Sequence, residues 1–171
     1  MAGTILLFVF PLLLLIAAIY DLTTMTIPNW VCGVVIVAFP MIALAAGMDL
    51  SLMANHISAG AVMLVLGIVL FSVGLVGGGD AKLIAGIAVW CGWSALFPFL
   101  LFAAIFGGVL TGFLMAFRAI TLPRWMSEKS WIVRLHSVDN GVPYGIALAL
   151  GGILIYQDLR VFTILSNGFL G

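Results

Sequence analysis

The chain has 171 residues, of which 65% are hydrophobic and only 7% charged, and its six acidic and six basic side chains leave no net charge. Soluble domains average about 45–50% apolar and about 25% charged residues, so a soluble fold is excluded: a chain of this size has too little polar surface to cover so much apolar side chain. No basic patch points to nucleic acid, and Cys32 and Cys91 fall in apolar runs without the spacing of a disulfide framework or a zinc site, so both read as packing thiols.

A membrane-spanning helix needs about 20 mostly apolar residues, with a range of about 17–25. About six segments approach this, which predicts one all-α, polytopic membrane domain over residues 1–171. The first segment is Thr4 to Tyr20. No Lys or Arg precedes Lys82, so this run lacks the basic start of a cleaved signal peptide and reads as a retained helix. The second runs from Pro28 to about Gly47. Thr26 is its predicted N-cap, Pro28 suits a helix start, and Pro40 is expected to kink it. A polar link, Met48 to His56, leads to a third span over about Ile57 to Val76. Gly77-Gly78-Gly79 is then expected to break the helix, because glycine allows backbone shapes that other residues resist. The apolar run from Ala81 to Phe117 is too long for one span. It divides at Cys91-Gly92-Trp93-Ser94 into a short fourth helix, about Ala81 to Trp90, and a fifth, about Ser94 to Phe117. Arg118 to Gly141 is the extended polar stretch. Trp125, Trp131, Ile132 and Leu135 interleave there with Arg124, Lys129 and Arg134, which predicts an interfacial amphipathic helix among lipid headgroups. The sixth span begins near Val142-Pro143-Tyr144 and ends near Leu159, leaving a weakly polar tail, Arg160 to Gly171.

Basic residues set orientation. The links after the first, third and fifth helices carry Lys82, Arg118, Arg124, Lys129 and Arg134, whereas the opposite side has Arg160 alone. This asymmetry predicts a cytoplasmic 118–141 link, both termini outside, and Asp21 and Asp80 together at the cytoplasmic ends of their helices.

A carboxylate near hydrocarbon costs roughly 2.5–3.5 kcal/mol at a helix centre, and such groups usually face a bundle interior or a water-filled cavity. Two of them at one depth suggest a working pair. Neighbouring carboxylates do not both ionise readily and share one proton. The ionised member can take a proton from water while the protonated member donates to a peptide carbonyl, which is peptide hydrolysis without a metal or a covalent intermediate. The glycines before Asp80 would admit an extended substrate backbone. A serine-protease arrangement is disfavoured, because it needs a base within reach. His56 falls on the outer side and His136 in the cytoplasmic link, where it reads as a solvated surface group. Taken singly, each aspartate has a plain reading as well: Asp21 as a cap or headgroup-level acid, and Asp80 with Lys82 as a surface pair worth little. Asp49, Asp139, Asp158 and Glu128 read as exposed loop or helix-end groups. An ion- or proton-coupled transporter also uses membrane carboxylates, although coupling sites usually lie at the midplane and both acids here lie at one face. A structural subunit with interface aspartates is a third reading.

At these residues the chain resembles a known family. Gly77-Gly78-Gly79-Asp80 matches the Gly-x-Gly-Asp signature of intramembrane aspartic proteases, and Asp80-Ala81-Lys82-Leu83 extends it in the manner of type 4 prepilin peptidases. Tyr20-Asp21-Leu22 through Ile27-Pro28-Asn29 is similar to that family's first catalytic motif. Val142-Pro143-Tyr144-Gly145 is similar to its late proline-containing motif. The resemblance implies that Asp21 and Asp80 are the catalytic pair. It also implies that Gly77, Gly78, Gly79, Lys82, Pro28, Asn29, Pro143 and Tyr144 shape the backbone around the substrate. No metal or other cofactor is implied. Expected partners are prepilins or pseudopilins, membrane lipid, and pilus or secretion machinery, with the active site facing the cytoplasm of a bacterial inner membrane. Longer relatives carry an N-terminal cysteine-motif domain and methylate the product. The chain enters the membrane by about residue 4, so methylation is not expected of it. The short form looks like the TadV/CpaA branch serving Flp-type pili, with archaeal preflagellin peptidases as the alternative.

Overall fold

The computed structural model describes the backbone of residues 2–170 and the side-chain surroundings of residues 6–166. Its elements are helices: α1 (Ala2–Thr24), α2 (Asn29–Ala45), α3 (Leu50–Ser72), α4 (Gly78–Arg118), α5 (Arg124–Ser127), α6 (Ser130–His136), α7 (Tyr144–Leu154) and α8 (Arg160–Leu170), with a 3-10 turn at Tyr156–Asp158. Leu6–Thr24, Leu50–Ser72 and Gly78–Arg118 are long and apolar enough to cross a membrane, and α2 and α7 are shorter apolar helices. The all-helical, polytopic membrane architecture expected from composition is the one observed.

The chain doubles back within α4. Gly92 has φ +59 and ψ −177, outside helical values. Ile84 before it and Thr111 after it line the same cavity, yet a straight helix at about 1.5 Å per residue would hold them about 40 Å apart. The turn expected at Cys91–Ser94 is therefore present, made by one residue whose positive φ favours glycine. A side chain at this position would also strike the His56 ring, at about 2.9 Å from its Nε2.

Several boundaries differ from expectation. Pro28, not Thr26, takes the N-cap position of α2, with its carbonyl accepting the Val31 N–H at 3.0 Å. The Thr26 hydroxyl pairs with Thr24 Oγ1 at 2.9 Å instead. α2 holds Pro40 within its length. α3 begins at Leu50, well before the expected Ile57, because Asp49 caps it. The Asp49 carboxylate accepts the Ser51 N–H at 3.0 Å and also the Ser51 hydroxyl, contacts that hold its carboxyl below the usual range. His56 consequently lies inside a helix rather than in an outer polar link. It is buried, stacked on Phe39 at 5.0 Å, with Nδ1 2.9 Å from the Val89 carbonyl.

α3 ends at Ser72, and the break begins ahead of the triple glycine, with a positive φ at Gly74 (+76), and closes at Gly77, the first of the three. Gly74 and Leu75 donate back to the carbonyls of Phe71 and Leu70 at 3.0 and 2.9 Å, satisfying groups the helix end leaves unpaired. Gly78 and Gly79 belong to the first turn of α4. The 118–141 link is not one amphipathic helix but two short ones, α5 and α6, with Pro123 at the N-cap of α5. Ile132 and Leu135 turn inward while Trp125 stays exposed. His136 is not simply solvated, since its Nε2 lies 2.8 Å from the Ile120 carbonyl and its ring meets Phe117 edge-on. The sixth span is shorter than expected, because α7 stops at Leu154. The expected tail is instead the helix α8, which buries Val161 and Leu165 and packs on α1.

The first arm of α4 is the centre of the bundle. Trp90 is buried, stacks on Phe10 at 4.5 Å and donates its indole N–H to the Val35 carbonyl at 2.9 Å. Lipid is as apolar as the core, so helix association depends on close packing by small residues. A Cβ on Gly86 would lie 3.0 Å from Val35, one on Gly67 2.9 Å from Ala81, and one on Gly151 3.0 Å from the Ala103 nitrogen. This packing brings the ends of α1, α4 and α7 together.

Candidate active site

Asp21 sits within the last turn of α1, which runs on to Thr24 instead of stopping at Tyr20. The Thr23 and Thr24 hydroxyls bond back to the carbonyls of Ile19 and Tyr20, each at 2.7 Å. Met25 then ends the helix with φ +56, its N–H bonding the Asp21 carbonyl at 2.8 Å. Positive φ is uncommon in a residue with a side chain, and it swings the chain into Thr26-Ile27-Pro28. The Asp21 side chain is only 4% exposed, and its Oδ2 accepts the main-chain N–H of Gly145 at 2.7 Å. Gly145 lies in the first turn of α7, where unpaired N–H groups favour an anion.

Asp80 is the third residue of α4, half-buried. Gly77 is the N-cap, and a Cβ there would lie 2.9 Å from Asp80 Oδ2, so the carboxylate leans back over a bare backbone. A Cβ on Gly79 would lie 3.2 Å from the Ile27 Cβ. The glycines thus work by close approach, letting the start of α4 rest on the turn that follows Asp21.

Both carboxylates line one cavity of about 700 Å³. It is lined by the non-helical stretch 74–77, by 141–144, and by Met25, Ile84 and Thr111. Two carboxylates opening on a shared cavity can divide the work of general base and general acid. Of the other residues singled out from sequence, Gly77, Pro143 and Tyr144 line the cavity. Gly78 packs on Phe71. Tyr144 lies over Gly107, where no side chain would fit. Pro28, Asn29 and Lys82 lie outside the wall and serve its frame: Lys82 Nζ donates to Asn29 Oδ1 at 2.7 Å, tying α4 to the start of α2. Both cysteines are buried and free. No group of three His, Cys, Asp or Glu side chains among the described residues could hold a metal ion.

Sequence reasoning assigned no role to Met25, Thr111 or the Gly145 N–H. Met25 and Thr111 carry no chemical signal in the sequence. Gly145 stood in the late motif, but a main-chain donor 124 residues from its acceptor is visible only after folding.

A family model of type IV leader peptidases matches residues 8–112, a stretch holding both aspartates. The chain belongs to the type IV leader peptidase family. No curated protein and no solved structure matches it. Membership makes the protein a protease of the prepilin leader peptidase kind, as the sequence motifs implied. The matched stretch contains α2, α3, the Gly92 reversal and one wall of the cavity. The other wall, 141–144, lies beyond it.

Proposed function

We propose that the protein is a membrane aspartic endopeptidase that removes the basic leader of Flp-type prepilins or pseudopilins at the cytoplasmic face of a bacterial inner membrane. The observation that carries this reading is the placement of Asp21 and Asp80 on one cavity lined by 74–77 and 141–144. A prepilin segment unwound just before its apolar helix would lie between 74–77 and 141–144. One carboxylate takes a proton from water as the oxygen attacks the scissile carbonyl. The other donates its proton to the carbonyl oxygen; the first then passes the proton it took to the departing amine as the C–N bond breaks, and the second recovers its proton from the collapsing diol. Gly77 keeps the backbone beneath Asp80 free of a side chain, Gly78 and Gly79 let the start of α4 pack on Phe71 and Ile27, Pro143 and Tyr144 line the cavity, and Pro28, Asn29 and Lys82 hold the frame. Five basic residues on one side against one on the other favour the cytoplasmic face. A basic leader is also held near anionic headgroups by about 1 kcal/mol per Lys or Arg. Pilus or secretion machinery would take the product onward, and a preflagellin peptidase of the same family is the alternative.

The test is cleavage. Purified protein in detergent, mixed with a Flp-type prepilin and EDTA, should shorten the prepilin by its leader at the same rate as without EDTA. Proton-coupled transport by reconstituted protein that leaves prepilin intact would overturn the reading. Sidedness is tested separately. Cysteines introduced at Asp49 should react with impermeant reagents added outside intact cells, and cysteines at Lys129 should not. The reverse pattern would put the cavity on the wrong side for leader peptides.

A further inference from the structure

The 118–141 link carries four of the six basic residues, Arg118, Arg124, Lys129 and Arg134, and two of them point back into the protein. Arg118, in the last turn of α4, donates from Nε to the Leu135 carbonyl at 2.9 Å. Its Nη2 reaches the carbonyls of Asn140 and Gly141 at 2.9 and 2.8 Å. Arg134 in α6 donates from Nη2 to the Thr23 carbonyl at 2.9 Å, two residues past Asp21. Asn140 Nδ2 closes the circuit on the Arg134 carbonyl at 2.9 Å. Each guanidinium thus serves main-chain carbonyls rather than a carboxylate. The Thr23 carbonyl is one that the end of α1 leaves unpaired, and a cation suits that end of the helix dipole. Gly141 is cavity wall and leads within four residues to Gly145, whose N–H holds Asp21.

Building on the peptidase reading, we infer that the 118–141 link is a strap that sets the α7 start against the α1 end, with Arg118 and Arg134 as positioning residues for Asp21. The two pieces of backbone that determine where the Asp21 carboxylate sits are fastened to one short length of chain. Ile132 and Leu135 anchor that length in the core. The two arginines differ in what can replace them. The Arg118 fork spans three carbonyls, which a lysine point charge cannot reproduce, whereas the single Arg134 bond lies within a lysine's ability.

The experiment uses the full chain and a synthetic prepilin peptide, a basic leader followed by an apolar helix. Arg118→Gln and Arg118→Lys should both lower kcat by about 10- to 100-fold with KM nearly unchanged, the cost of a misplaced catalytic group. Arg134→Gln should lower kcat about tenfold and Arg134→Lys should restore most of it. Amide exchange at Gly145 should quicken about tenfold in Arg118→Gln, since a loosened strap frees its N–H. If Arg118→Gln does not fold, Asn140→Ala removes only the bond to the Arg134 carbonyl and should shift kcat and exchange in the same directions. Wild-type kcat in folded Arg118→Gln and Arg134→Gln would overturn the strap, as would a change confined to KM or unaltered Gly145 exchange. Wild-type protein that cleaves nothing, yet whose Gly145 exchange responds to Arg118→Gln, would keep the strap and remove the peptidase reading.

Discussion

Asp21→Asn and Asp80→Asn should each reduce leader cleavage by about 1,000-fold or more, within the range of about 10²–10⁴ that a general acid or base contributes. An amide can neither take the proton from water nor give one to the carbonyl oxygen, yet it fills nearly the same volume. Asparagine at position 21 keeps an oxygen that can accept the Gly145 N–H, so the α1–α7 contact survives. Asparagine at position 80 stays over Gly77 without strain. Both variants should therefore reach the membrane at normal levels, and single-turnover cleavage measured on purified protein separates chemistry from yield. Asp49→Asn and Asp158→Asn are the controls. Asp49 is the exposed cap of α3, a position asparagine serves about as well. Near-normal processing by either the Asp21 or the Asp80 variant would take that residue out of the reaction.

Gly145→Ala should be nearly as damaging, although it adds one methyl group and keeps the main-chain N–H. A Cβ at this position would lie 2.8 Å from Asp21 Oδ2, 2.8 Å from Ile27 Cδ1 and 3.1 Å from Asp21 Cβ. None of these atoms belongs to a side chain free to swing away, because Asp21 is held by the very N–H that carries the new methyl. Relief requires α7 or the carboxylate to shift by about 1 Å, a displacement that can cost about 100-fold in rate. Such overpacking typically costs about 1–3 kcal/mol of stability as well. Gly108→Ala, in the second arm of α4, meets nothing within 4 Å and should be silent. Measured kcat for the two alanine variants decides the matter. Equal rates would mean that the Gly145 contact does not govern Asp21.

Much of this protein was legible in its residues alone. Mean composition placed it in a membrane, because too few charges exist to cover its apolar surface. The reversal at Gly92 followed from length, since a run from Ala81 to Phe117 exceeds one bilayer crossing. Asp21 and Asp80 stood out because a carboxylate beside hydrocarbon is costly enough to demand a reason. Those are properties of composition and local pattern, which a chain carries before it folds.

What tertiary structure decided was how the pieces end and meet. The polar stretch Met48–His56 argued for a link, but the Asp49 cap and a stacking place against Phe39 drew His56 into a buried helix. Three glycines in a row pointed to the break, yet it begins ahead of them at Gly74, because C-terminal capping needs one positive-φ residue where the last carbonyls require partners. Of the glycines before Asp80, Gly79 instead provides closeness to Ile27. The tail became α8 only because Val161 and Leu165 found α1 to cover. The anchor of Asp21 is a backbone N–H, which every residue but proline possesses. Nothing in the sequence distinguishes the one at Gly145 until α7 is packed against α1 and the arginines of the link have closed around both.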